Sequence, residues 1–275
     1  MKKIILSLFF FLCATILFSK NDSTRFKIKK VYVSWGYTRA WYSRSTIHFK
    51  DLSDKYHGVT GLNNYYDFTI HNVHASDLPD YDKIYKSAIN ITIPQFVVRL
   101  GIPINDKWDF EINYDHAKYV VDDWQKVAIT GQIFHHPVSG DTTLNPHKFL
   151  HFEHTDGANF WMFNAVRKFS FYHPSKKFSA TWVVKPGGGF VYPRTDVTLF
   201  GERLNNAWHI SGWIVGVESG LRLQFLGRGF FEFVGKGVYA DYMKCLVLGK
   251  GNGTASQAFF AAQLTATLGF MFGKI

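Results

Sequence analysis

Cysteine is nearly absent from this 275-residue chain, which has only Cys13 and Cys245. Cys13 falls in an N-terminal segment expected to be removed, so Cys245 is left alone and an internal disulfide is excluded. There are twelve histidines, but none falls in the paired spacings of a tetrahedral metal site. Neither a structural metal nor a cofactor is expected. Beyond the N-terminus no apolar run approaches the roughly 20 residues that a membrane-spanning helix needs. The glycine-rich stretch Pro186 to Gly189 lacks the Lys-Ser or Lys-Thr pair and the following helix of a phosphate-binding loop. It reads instead as a strand that has to bend.

The N-terminus itself carries Lys2 and Lys3, an apolar run from Ile4 to Phe18, and then polar Ser19, Lys20 and Asn21. A basic start followed by a short apolar stretch is the pattern of a secretory signal peptide. Residues 1–19 are therefore read as the signal, with cleavage near Ser19, and residues 20–275 as one domain. The small residues that a lipoprotein signal places before its cysteine are missing at Cys13, so no lipid anchor is expected.

Aromatic residues make up 18% of the chain, yet the mean hydropathy is only −0.08. These values conflict for a soluble protein but agree for a transmembrane barrel, whose strands alternate lipid-facing apolar residues with lumen-facing polar ones. The formal net charge is +10. For an exported chain this points to outer-membrane lipid and lipopolysaccharide head groups as partners rather than to nucleic acid.

Two-residue alternation identifies the strands. Trp108, Phe110, Ile112 and Tyr114 interleave with Asp109, Glu111, Asn113 and Asp115, giving one oily and one ionic face. Val217, Leu221, Leu223 and Phe225 alternate in the same way with Glu218, Gly220, Arg222 and Gln224, and Phe231, Phe233 and Tyr239 with Glu232 and Lys236. In the last stretch Phe260, Leu264, Leu268, Phe270 and Phe272 oppose Gln263, Thr265 and Thr267.

Short turns are read at 103 to 107, 173 to 177 and 226 to 229, where turn-forming residues cluster. Placing them in the periplasm gives strands near 26 to 42, 91 to 102, 108 to 121, 158 to 172, 178 to 192, 209 to 225, 230 to 246 and 258 to 272. The fold expected is an all-β, up-and-down antiparallel barrel with long extracellular loops and both mature termini in the periplasm. Eight strands is the preferred count. Ten or twelve stay open, because Tyr65 to His74 and Lys126 to Phe134 also look like strands. Eight strands enclose a lumen filled by side chains, so Glu111, Asp115, Glu218, Arg222, Glu232 and Lys236 are expected to form a buried polar lattice.

With its long loops and its last strand carrying Leu268, Phe270 and Phe272, the chain resembles small outer-membrane barrels of the OmpA and OmpW types and those common in Bacteroidota. Its final residues, Gly273, Lys274 and Ile275, replace the terminal aromatic of many such proteins. This resemblance implies an outer-membrane location. The triplet His209-Ile210-Ser211 is similar to the His-x-Ser motif of the lipid A 3-O-deacylases. That likeness implies a serine activated by histidine on the outward barrel face, acting on an acyl chain of outer-leaflet lipid. Gly212 stands where that motif has asparagine, Glu218 points inward, and Asp241 is only a loose substitute for the acid.

A second polar group, Glu153, His154 and Asp156, lies before the fourth strand. Acid/base work or cation binding suits such residues, but Asp156 and Gly157 are favoured turn formers, and an ordered turn is the preferred reading. Without a complete catalytic set, the function expected is a non-enzymatic, porin-like barrel serving envelope integrity, surface interaction or passage of a small hydrophobic solute. A lipid A acyl hydrolase is the alternative.

Overall fold

The computed structural model describes residues 30–53, 65–77, 95–154, 156–175, 177–248 and 253–273. The signal-peptide reading, the strand starts before residue 30 and residue 95, and the last two residues lie outside this set.

Seventeen strands follow in order. They are β1 (Lys30–Tyr42), β2 (Ser45–Asp51), β3 (Tyr66–Val73), β4 (Ala75–Ser76), β5 (Phe96–Pro103), β6 (Trp108–Asp115), β7 (Val120–Val121), β8 (Lys126–Ile133) and β9 (His136–Thr143). After these come β10 (Leu150–Glu153), β11 (Phe160–Ser175), β12 (Phe178–Val191), β13 (Asp196–Leu199), β14 (Glu202–Asn205), β15 (Gly212–Phe225), β16 (Gly229–Leu246) and β17 (Thr254–Gly273).

Twelve of them form one antiparallel sheet. Its pairings run β1–β5–β6–β11–β12–β15–β16–β17, and β17 pairs in turn with β1 over their full common length, from Lys30 opposite Gly273 to Tyr42 opposite Ala261. These eight strands thus form a circuit without a free edge, the arrangement that satisfies every ladder group in a sheet. The other four, β2, β3, β8 and β9, branch from β17 where Thr254 to Gln257 pair with Lys50 to Ile47. The two loop segments read as strand-like are β3 and β8, and they pair with each other within this branch. A second sheet of five short strands, β14-β13-β10-β7-β4, lies at the same end.

Alternation decides which way each side chain faces, because successive residues of a strand point to opposite sides. Along β16 the pattern is nearly unbroken: Glu232, Val234, Lys236, Val238 and Ala240 are buried, while Phe231, Phe233, Gly235 and Gly237 are exposed. Every strand of the circuit shows a large apolar residue on its outer face: Trp35, Leu100, Phe110, Phe163, Trp182, Val217, Phe233 and Leu268.

The two ends of the circuit differ. One has short connections, between Pro103 and Trp108, Ser175 and Phe178, and Phe225 and Gly229. In the last of these Leu226 and Gly227 both take positive φ, 52° and 75°, the left-handed pair that matches strand twist in a tight hairpin. The opposite end carries the branch and the second sheet, packed around one apolar core that includes Phe49, Tyr66, Phe68, Tyr119, Phe152 and Phe259. Its rings stack at close range, with Phe49 and Phe68 at 5.1 Å and Tyr119 and Phe259 at 4.8 Å between centroids. These segments thus form a folded cap whose core is continuous with inward apolar residues of the circuit such as Phe160, Ile214 and Ala240.

Candidate functional site

The interior of the circuit holds a network of paired charges. From β6, Asp109, Glu111, Asn113 and Asp115 all point inward and are buried. Tyr32 donates to Glu111 at 2.7 Å, and Lys185 of β12 donates to the same carboxylate at 2.8 Å. Lys185 also bonds Glu232, to which Arg222 Nε donates at 2.7 Å. Arg222 reaches Asp109 at 3.2 Å, and Asp109 is bonded again by Lys168.

A second group sits beside the first. Arg99 bonds Asp115, Lys236 donates to Asp115 at 2.6 Å, and Lys236 lies 3.2 Å from Glu218. Asn113 donates to Glu218 at 2.8 Å. Lys185, 3.8 Å from Glu218, links the two groups.

The acids Asp109, Glu111, Asp115, Glu218 and Glu232 are thereby matched in number by Arg99, Lys168, Lys185, Arg222 and Lys236. This balance is what makes burial tolerable, since an unpaired buried charge costs several kcal/mol. All six residues expected in a lumen lattice take part. Arg99, Lys168 and Lys185 join them, as does Asp109 from the ionic face of β6. Parity reveals two of these: Arg99 alternates with outward Val98 and Leu100, and Lys185 with Val184 and Pro186. The Pro186 to Gly189 stretch lies within β12, as a bending strand requires. There the Asn164 carboxamide occupies the space a Cβ on Gly187 would take, with Oδ1 1.8 Å from that position.

The polar trio before the fourth expected strand is split: only Glu153 lies in β10, and His154 and Asp156 fall in the turn that follows. Glu153 faces outward and lies 3.2 Å from His151, whose other ring nitrogen is 2.8 Å from Asp123. Asp156 turns to Arg194, 3.0 Å away. His154 is fully buried, its ring stacked on Tyr242 with centroids 5.1 Å apart. Near it the chain turns back, with Gly157 N donating to His154 O and Gly157 at φ 116°. The geometry is that of a turn flanked by separate surface ion pairs.

His154 Nδ1 is 3.2 Å from Thr195 Oγ1, and its Nε2 is 3.5 Å from Gln257 Nε2 and 3.9 Å from Cys245 Sγ. These partners fit the tautomer protonated on Nδ1, with Nε2 accepting. Burial, aided by the nearby His209, lowers the His154 pKa to about 3, while burial pushes the Cys245 thiol up to about 12. Both groups are therefore neutral, so the pair lacks the thiolate a nucleophile needs.

Residues 209–211 precede β15, so the strand parity that assigned both His209 and Ser211 to the outer face does not extend to them. His209 is half-buried, with its ring nitrogens on Ala207 O at 3.2 Å and Lys244 O at 2.6 Å. Ser211 is buried instead, 3.3 Å from Cys245 Sγ. The outward placement of Ser211 is thus corrected, and the side-chain hydrogen bonds of the two residues run to different partners. Among the described residues, no group of three or more His, Cys, Asp or Glu side chains is placed to hold a metal ion.

No family model matches the chain, and no curated protein matches it either. Its structural neighbours are outer-membrane β-barrel proteins. The outer membrane protein OprG from Pseudomonas aeruginosa shares 10% identity at a TM-score of 0.41, covering 90% of this chain and 98% of that one. Neisserial surface protein A shares 12% at a TM-score of 0.34, covering 88% and 97%. The outer membrane protease OmpT from Escherichia coli shares 8% at a TM-score of 0.32, covering 92% and 100%.

Proposed function

We propose that the chain is a non-enzymatic outer-membrane barrel of eight membrane strands that seals its own lumen and presents a folded β-cap outside the cell. The observation that carries this reading is the division of every circuit strand into an outer apolar face and an inner face. The inner faces of β5, β6, β11, β12, β15 and β16 lock together through matched charges. Lipid is the environment in which such an outer surface is stable, because it places apolar residues against acyl chains and leaves no ladder group unpaired. On this reading the tight turns and both mature termini face the periplasm, following the usual asymmetry of such barrels.

The role favoured is surface interaction together with envelope integrity. Charges interlocked from wall to wall leave no continuous apolar path at the level of the lattice, which speaks against passage of a hydrophobic solute along the axis. The cap, packed through a shared aromatic core onto the end of the circuit, is built as a rigid platform, and loops on a rigid wall are where recognition resides. Outer-membrane lipid and lipopolysaccharide are the partners that such a surface meets.

The test is planar-bilayer recording on protein first shown by heat-modifiable gel mobility to be folded. A sealed barrel gives no steady ion conductance, and Lys185→Ala with Arg222→Ala raises it. Steady conductance of the unmodified protein, or its release from cells without detergent, sinks the proposal.

A further inference from the structure

Six of the eight tryptophans, Trp35, Trp41, Trp108, Trp161, Trp182 and Trp213, stand on the outer faces of circuit strands. A seventh, Trp208, stacks on Tyr192 with centroids 5.9 Å apart. Trp124 is placed otherwise. It lies in the cap between β7 and β8, and at 57% it is the most exposed of the eight. Its φ is 63°, in the left-handed region that is unfavourable for a bulky side chain. Packing accounts for other rings held at positive φ: Phe134 meets Phe200 at 4.8 Å, and His135 stacks on Tyr65 at 4.0 Å. The Trp124 ring instead meets the exposed His147, 6.3 Å away between centroids. Strain kept for a ring outside the core points to a use beyond folding.

The turn that carries Trp124 is held by its backbone. Trp124 N donates to Leu144 O at 2.7 Å and Asp122 N to His74 O at 3.1 Å. The Gln125 carboxamide accepts from His74 N at 2.9 Å and donates to His74 O at 2.8 Å. Consecutive side chains of this turn then reach one segment of the chain. Asp123 Oδ1 lies 2.8 Å from His151 Nδ1, and the indole meets His147 four residues earlier, with the two rings inclined at 64°. The result is an exposed aromatic corner with a carboxylate and two imidazoles beside it. His74 lies 2.5 Å from Asp122 as His151 does from Asp123 at 2.8 Å, so these acids offer hydrogen bonds more than free negative charge.

We propose that this corner is a binding site for a hexopyranose of a surface glycan, its ring packed on the Trp124 indole and its hydroxyls bonded to Asp123 and His147. The inference rests on the reading of the cap as a surface-interaction platform and names the ligand class. A pyranose presents a face of C–H groups, which suits an aromatic face, and a rim of hydroxyls, which suits carboxylate acceptors and imidazole nitrogens. An acyl chain would strip water from Asp123 without replacing its hydrogen bonds. A phosphate would be set against the carboxylates of Asp122 and Asp123.

The experiment is saturation-transfer difference NMR on the detergent-purified full chain, folded by the gel-mobility criterion, with the methyl glycosides of glucose, galactose and mannose as probes. At least one glycoside is expected to take up saturation through its ring C–H protons. Trp124→Asn should weaken its binding roughly tenfold, and Trp208→Phe should leave it intact. Asparagine tolerates the left-handed backbone, so Trp124→Asn should leave the urea midpoint unchanged or raised, and a lowered midpoint would make the indole a packing residue and overturn the site. Competition by oligosaccharide released from lipopolysaccharide supports the site with a ligand on the cell's own surface; glycoside binding without that competition supports it with a glycan of another surface. Equal binding by Trp124→Asn, or no glycoside binding by a barrel that shows no steady conductance, overturns the site while leaving the barrel standing. Displacement of the glycoside by tetramethylammonium at matched concentration overturns the saccharide assignment. A chain that leaves cells without detergent sinks both readings together.

Discussion

Lys185 Nζ and Glu111 Oε1 meet at 2.8 Å across the lumen, although β12 and β6 are separated in the sheet by β11. A contact between non-adjacent strands ties the wall together through its interior. Lys185 also holds Glu232, so Lys185→Met leaves two buried carboxylates short of a cation. Removing one partner of such a buried pair costs about 3 to 5 kcal/mol. Urea unfolding followed by tryptophan fluorescence should report a loss of this size, and replacing Glu111 by Gln in the same chain should recover part of it. An unchanged midpoint would show that the lattice contributes nothing.

Tyr32 and Gly101 give a second, steric prediction. The Tyr32 ring occupies the place of a side chain on residue 101, with Cζ 1.9 Å from the ideal Cβ position. Gly101→Ala should therefore destabilise the barrel by about 1 to 3 kcal/mol, the usual cost of overpacking. Combined with Tyr32→Ala, the same change should cost less than the two separate losses added together, which a double-mutant cycle in urea would show.

These two contacts show what the sequence makes legible and what it hides. Alternation along β6, β15, β16 and β17 is readable because each places charges or amides against large apolar residues at strict spacing. Arg99 was harder to see, being a single charge inside Phe96 to Ile102, a run that reads as wholly apolar. Lys185 was obscured by the adjoining proline and glycines. Ser211 was misplaced for a different reason: parity holds only within a strand, and β15 begins one residue later. The pairing of Arg222 with Asp109, 113 residues apart, or the seating of His154 beside Cys245, depends on tertiary closure, and no local pattern encodes it.

The cap should respond to pH through His151. Its hydrogen bond to Glu153, opposed by burial and reinforced by Asp123, raises its pKa to about 9. A histidine whose folded pKa exceeds its unfolded value of about 6.5 stabilises the fold fully below that pH and loses the effect as pH rises through about 9. Amide exchange in β10 should accordingly quicken between these limits. His151→Gln should flatten the profile, and a profile equally steep in the variant would assign the effect elsewhere.

Cys245 is buried at the loop end of β16 and its thiol is held neutral. It should resist a maleimide in the folded protein and react once the chain is unfolded in guanidinium. Rapid labelling at neutral pH without denaturant would contradict the packing of the cap around His154, Ser211 and Cys245.

The most direct test of the barrel is a spin-label scan of β16 from Phe231 to Tyr239 in reconstituted bilayers, read by accessibility to oxygen and to a water-soluble nickel complex. The account predicts a period of two, with labels at 231, 233, 235, 237 and 239 accessible to oxygen and shielded from nickel, and labels at 232, 234, 236 and 238 shielded from both. Nickel accessibility along the odd-numbered face, or no alternation at all, would contradict a lipid-facing outer wall around a closed lumen.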